Sequence, residues 1–109
     1  MDYVNRHFAK WPNDDEHGFV RPKIECKSGL KISVQASLAH MCEPRQNHCS
    51  NYSHVEVYMP VEVKQGKYSL IEDWYQYGDD PEHKRPQLFA YVPVELVNRL
   101  IRDHGGPID

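Results

Sequence analysis

The stretch KIECKSGLKISVQAS, residues 23–37, decides the fold. Its hydropathy has a period of two, which is the signature of a half-buried β-strand and not of a helix. The period breaks once, at Ser28-Gly29, where glycine supplies the positive φ of a tight turn. The stretch therefore predicts a β-hairpin. In its second strand Ile32, Val34 and Ala36 share one face, and Ser33, Gln35 and Ser37 share the other. The first face is expected to meet the core. The second is expected to stay open, either solvated or lining a site.

Working outward, HVEVYMP (residues 54–60) alternates in the same way, with Val55, Val57 and Met59 against His54, Glu56 and Tyr58, and Pro60 is expected to end the pairing. QLFAYVP (residues 87–93) reads as a fourth strand. PVELVNRLIRDHGG (residues 93–106) reads as a helix. Pro93 suits its first turn, Glu95 suits the positive end of the helix dipole, and Gly105 suits the C-cap. Val94, Val97, Leu100 and Ile101 form its apolar stripe. A second helix is expected over the middle segment, where Leu70, Ile71, Trp74 and Tyr77 recur at helical spacing. The spacing turns Tyr75 outward. The fold class is α+β, a mainly antiparallel sheet of about four strands packed by the C-terminal helix and a second helix.

Residues 1–22 lack that alternation. They carry Tyr3, Phe8, Trp11 and Phe19 among polar residues, and WPNDDEHGF has turn chemistry. They are expected to form an aromatic arm or extension, with a short helix at 3–9, that packs by its aromatics, or else an interaction tail. Residues 23–109 form a single α+β domain. The 109 residues suffice for one modest core.

A formal net charge of −3 argues against non-specific nucleic-acid binding, which needs clustered Lys and Arg, so no direct nucleic-acid partner is expected. No apolar run approaches ~18 residues, so no membrane partner is expected either. Three cysteines are an odd number, which argues against a disulfide framework and for a reducing cytoplasm. Exposed strand edges and an aromatic arm allow a homodimer.

The chemistry concentrates between the second and third strands. SLAHMCEPRQNHC (residues 37–49) lies in a loop too long to be a mere connection. It offers three readings. His40, Cys42, His48 and Cys49 are four zinc-type ligands within ten residues, although a structural zinc site wants paired ligands two to four apart. Cys42 beside His40 and Arg45 could be an activated thiolate, but no base, orienting group or oxyanion hole completes a nucleophilic site. No catalytic residue and no cofactor is therefore assigned.

The third reading is a ligand pocket. Gln35 and Ser37 project from one strand and Glu56 from its neighbour, while Cys42, Arg45 and Tyr52 come from the loop folded above them. Together they supply a planar cation, an amide, an aromatic face and a carboxylate, the groups a nucleotide-like ligand requires. A plain polar network, with Arg45 paired to Glu56, uses the same residues. The acidic clusters Asp14, Asp15, Glu16 and Asp79, Asp80, Glu82 are solvated loops or contacts for a basic channel on another protein.

Three blocks, IECKSGLKISVQASLAHMCEPR, YSHVEVYMP and YVPVELVNRLIRDHGG, resemble a family of small tailed-phage proteins of unknown activity. The matching positions are Ser33 through Ser37, Cys42, Pro44, Arg45, Tyr52, Val55 through Val57, Tyr91 through Pro93, and His104 through Gly106. Two features depart from the pattern: the His48-Cys49 pair has no counterpart, and the 22-residue arm precedes the point where the family begins. The resemblance implies a phage-encoded accessory protein working in the host cytoplasm. The expectation that joins it to the residues is an anti-defence sponge, which binds and sequesters a small nucleotide-like immune signal without altering it. The alternatives are a protein–protein inhibitor of a host nuclease or defence sensor, resembling anti-CRISPR proteins, and a small structural zinc-binding protein.

Overall fold

A computed structural model gives the structure, which describes residues 1–12, 20–47, 49–58, 74, 76–82 and 87–108. In chain order the elements are α1 (Tyr3–Lys10), β1 (Ile24–Glu25), β2 (Lys31–Gln35), β3 (His54–Tyr58), β4 (Leu88–Pro93) and α2 (Val94–Asp103). The strands form one antiparallel sheet in the order β1-β2-β3-β4. This is the expected α+β fold.

Alternation sets the register. Ile24 pairs with Ile32, Val34 with Val57, and Val55 with Val92. Each pair puts two apolar side chains on the same face, where burial contributes about 1.5–3 kcal/mol per large side chain. Gly29, at φ 99°, makes the turn between β1 and β2. On α2, Val94, Val97, Leu100 and Ile101 are the buried residues, the stripe read from the sequence. The polypeptide leaves α2 through left-handed Gly105 and Gly106, whose N–H groups donate to Arg102 O and Ile101 O.

The second helix is α1, at the start of the chain. Leu70 and Ile71 of the expected middle helix lie outside the described residues. Trp74, Gln76 and Tyr77 lie in 3₁₀ conformation. Trp74 is buried edge-on against Phe89, with ring centroids 5.6 Å apart, and Tyr77 packs on the core. Met59, Pro60 and Tyr75 are outside the described residues.

The arm is part of the core. Val4 and Phe8, one helical turn apart, are buried among the sheet residues. Asp2 caps α1 by accepting from Asn5 N, and Val4 N donates to Asn98 Oδ1 of α2 at 3.0 Å.

Irregular chain is held to the regular elements by side-chain amides. Among the described residues three amides each grip one residue's backbone twice, accepting from its N–H and donating to its C=O. Asn5 holds Tyr52 at 2.9 and 3.1 Å. Gln35 holds Arg21 at 2.8 and 3.0 Å. Gln87 holds Asp80 at 2.6 and 3.0 Å. Such a pair supplies the bonds a β-ladder would otherwise give to a buried peptide.

Both outer strands already have neighbours. Beside β1, Cys26 bridges to Pro107 and Ile108 N donates to Glu25 O. Beside β4, Gly78 bridges to Phe89 and Asp79 N donates to Leu88 O. The exposed edge that suggested a homodimer is thus absent among the described residues.

Candidate functional site

The face expected to lie open above β2 is covered. Gln35 is 5% exposed, and Ser37, Cys42 and Tyr52 are buried as well. The cover is the segment before β1, whose Arg21 lies over Gln35. The Gln35 amide, expected to read a ligand, reads the Arg21 peptide instead and donates also to Ser33 Oγ at 3.0 Å. A buried primary amide must satisfy its donors and its acceptor, and an extended backbone satisfies both kinds.

The loop wraps inward around Tyr52. The Tyr52 hydroxyl donates to Gln46 O, and its ring packs edge-on to Phe8 at 5.4 Å. Cys42 turns its thiol onto Ser37 O at 3.2 Å. Ser37 Oγ sits 2.6 Å from His40 Nδ1. Arg45 is exposed and donates through Nε to Leu38 O at 3.1 Å. Glu56 is half-buried and accepts from Met41 N at 2.9 Å. No Arg45–Glu56 ion pair forms among the described residues. Of the six expected ligand-binding residues, Gln35, Ser37, Cys42 and Tyr52 are internal, and Arg45 and Glu56 are tied to loop backbone.

The thiol chemistry follows from burial. Burial pushes Cys26 up to about 11 and Cys42 up in the same direction, so both are protonated at neutral pH. Burial also lowers His40, so its neutral form is favoured. A protonated, sealed thiol beside a neutral imidazole is a packing residue and not a nucleophile. Among the described residues no group of three or more His, Cys, Asp or Glu could hold a metal ion. His48, one of the four zinc candidates, lies outside the described residues. Of the three cysteines, Cys26 and Cys42 are buried and Cys49 is partly exposed. A thiol reagent at pH 7 is expected to modify Cys49 alone in the native protein, and all three after unfolding. Rapid modification of Cys42 would mean that the loop does not seal it.

Among the described residues the guanidinium with the most constrained surroundings is that of Arg21. It is 5% exposed. Its Nε donates to Trp11 O and its Nη1 to Ala36 O, each at 2.7 Å, and its carbon lies 4.1 Å from the Phe8 ring centroid. Burial draws its pKa below the ordinary arginine value, and the neighbouring Tyr52 partly opposes that.

The open site lies elsewhere. A groove of ≈580 Å³ runs between α1, β1 and the turn after α2, within the range of small-molecule sites. Its floor is the outward face of β1. Because Ile24 and Cys26 point into the core, Lys23, Glu25 and Lys27 point out. One wall is the face of α1 opposite Val4 and Phe8, with Tyr3, Arg6, His7 and Lys10 at helical spacing, and Trp11 beyond. Trp11 is 45% exposed. The end is Gly105, Gly106 and Pro107. A β-carbon on Gly105 would stand 3.1 Å from Lys27 Cβ, so glycine allows this close approach.

Two bonds set the groove's width. His7 Nε2 donates to Pro22 O at 2.9 Å, tying α1 to the segment before β1. Ser28 Oγ stands 2.6 Å from His104 Nδ1, tying the β1–β2 turn to the end of α2. Burial lowers His104, which favours the neutral ring that can accept from the hydroxyl. A second hollow of ≈350 Å³ beside Glu95, Asn98, Arg99 and Arg102 mixes charges of both signs.

None of these groove residues was among the expected site residues. Their signal was present as the period-two charges at 23, 25 and 27, and as the polar positions 3, 6, 7 and 10 facing away from Val4 and Phe8.

Fold and site together define a small α+β domain with a cation-lined groove at the edge of its sheet. Comparison with protein-family models, curated proteins and solved structures finds no match for this chain. Among the described residues no helix is long and apolar enough to cross a membrane.

Proposed function

We propose that this protein binds and holds a small anionic, nucleotide-like ligand in the groove between α1 and β1, without chemically changing it. One observation carries the reading. On a chain of net charge −3, the groove gathers Arg6, Lys23 and Lys27 beside the rings of Tyr3 and Trp11. Phosphate needs the cations, and a base or sugar face needs the rings. The resemblance to small tailed-phage proteins supports the biological setting: a phage-encoded accessory protein in the host cytoplasm, sequestering an immune signal. The site moves from the loop above β2 to the groove, because Gln35 and Tyr52 already bind the chain itself.

The test is thermal stabilisation across mononucleotides, cyclic dinucleotides and cyclic ADP-ribose isomers. A ligand at a hundred times its dissociation constant stabilises by about 2.7 kcal/mol. Lys27→Glu is expected to abolish that shift. Arg45→Ala, outside the groove, is expected to leave it intact. If no member of the panel raises the melting temperature, the proposal fails. If Arg45→Ala removes the shift and Lys27→Glu does not, the groove is the wrong site.

A second reading, blockade of a host defence protein, draws on one feature. Leu38, Met41, Tyr58 and Tyr91 are exposed apolar side chains, and Tyr91 N donates to Met41 O. Co-purification of a host protein, lost on Tyr58→Asp, would favour it. Of the acidic clusters offered for that role, residues 14–16 lie outside the described residues.

A further inference from the structure

We infer that the groove's ligand carries two separated phosphates, one at each end, so that a dinucleotide is preferred over a mononucleotide. This rests on the groove being the ligand site. The floor has an alternating charge pattern: Lys23 just before β1, Glu25 within it and Lys27 just after it. Two residues four apart on extended chain are about 13 Å apart. The two ammonium groups therefore serve opposite ends of the groove and cannot share one phosphate without bending toward each other across Glu25.

The two cations are available. Among the described residues neither Lys23 nor Lys27 has a carboxylate partner. Glu25 does have one: Lys31 Nζ lies 3.7 Å from its Oε1, with both side chains about half exposed. The middle of the floor is thus a carboxylate, an acceptor between the two lysines. It repels a phosphate placed centrally and accepts from a sugar hydroxyl or a base amine. The sequence of groups complementary to the floor is anion, hydrogen-bond donor, anion. A mononucleotide offers one anion and leaves the far lysine solvated. A dinucleotide with two phosphodiesters offers both, with sugars or bases between.

The ends differ in what supports the lysine. Lys27 lays its methylenes against Gly105, where the missing side chain makes room for them, and so is carried at the α2 end of the groove. Lys23 follows Pro22, which His7 ties to α1, and the exposed Trp11 ring that also lines the groove offers a stacking surface.

The experiment is calorimetric titration of the full chain with cyclic and linear diadenylate and diguanylate, and with AMP and GMP. Wild type, Lys23→Ala and Lys27→Ala are compared at low salt. Both lysines are exposed, so folding is not at issue; circular dichroism checks it. The expected result is that one dinucleotide binds at least about tenfold tighter than either mononucleotide, the worth of one charge-assisted contact. Each alanine variant is expected to remove most of that advantage. Equal affinity for the two ligand classes, or a preference that survives both substitutions, overturns the two-phosphate inference and leaves the groove reading standing. Failure of every probe to bind overturns both.

Discussion

Arg21→Ala is expected to destabilise the protein by about 3 kcal/mol, a large effect for one side chain in a domain this small. The guanidinium joins three parts of the chain that no strand or helix joins. It donates to Trp11 O at the end of α1 and to Ala36 O at the end of β2, and its face lies on Phe8 of the helix. Removing it takes a donor from Trp11 O and another from the carbonyl of buried Ala36. A hydrogen bond lost beside a buried carbonyl costs about 1–3 kcal/mol, and the lost cation–π contact adds about 1 kcal/mol. The sum is tempered because burying the charge is itself unfavourable, which is why the estimate stays near the low end. With a urea m-value of about 1–3 kcal/mol/M, the midpoint should fall by roughly 1–3 M. Arg21→Lys is expected to recover little, since an ammonium lacks the planar fork that reaches both carbonyls. A midpoint unchanged by Arg21→Ala would show that the arm is not fastened through this residue.

How much of this was legible beforehand depends on which physical signal each feature leaves. The sheet and α2 were legible because burial of one face imposes a period. Ile32, Val34 and Ala36, then Val55 and Val57, then Val94, Val97, Leu100 and Ile101 all fall where their spacing put them. The cover over β2 was not legible. Gln35 is polar, and polarity at an alternating position suggests a solvated face. Yet its partner is the backbone of Arg21, and a bond to backbone leaves no mark on the partner's residue type. The same holds for Asn5 gripping Tyr52. Arg45 and Glu56 were placed together by the assumption that the loop lies flat over the sheet. Instead the loop closes around the Tyr52 hydroxyl, Arg45 turns to Leu38 O, and Glu56 turns to Met41 N. Phe8 was legible as one of the arm's aromatic anchors and is buried, whereas Trp11, another of them, is exposed, and Val4 was legible only as the i, i+4 partner of Phe8.

The consequence for domain limits is the second large prediction: a chain starting at Lys23 is expected not to fold cooperatively. The alternation of β1 and β2 makes residue 23 look like a natural start, and the segment before it looks like an appendage. Energetically it is a side of the core. Its loss uncovers the surfaces that Val4 and Phe8 bury, and losing one buried phenylalanine alone costs about 3–5 kcal/mol. It leaves the Gln35 amide without the Arg21 peptide that it holds, and the Tyr52 peptide without the Asn5 amide that holds it. It removes Arg21 as well, with the effect argued above. Even after generous discounting for non-additivity, these losses match or exceed the roughly 5–15 kcal/mol that holds a typical domain together. The groove disappears in the same step, because α1 is its wall. The truncated chain should show no sigmoidal thermal transition and poorly dispersed amide resonances. Phe8→Ala in the full chain should fall between the two states, folded but weakened by about 4 kcal/mol. A truncated chain that melts cooperatively within about 1.5 kcal/mol of the full protein would return the arm to the status of an appendage. The groove would then have to be reconsidered as a feature built on a detachable wall, because a ligand site needs its first contacts held on rigid elements.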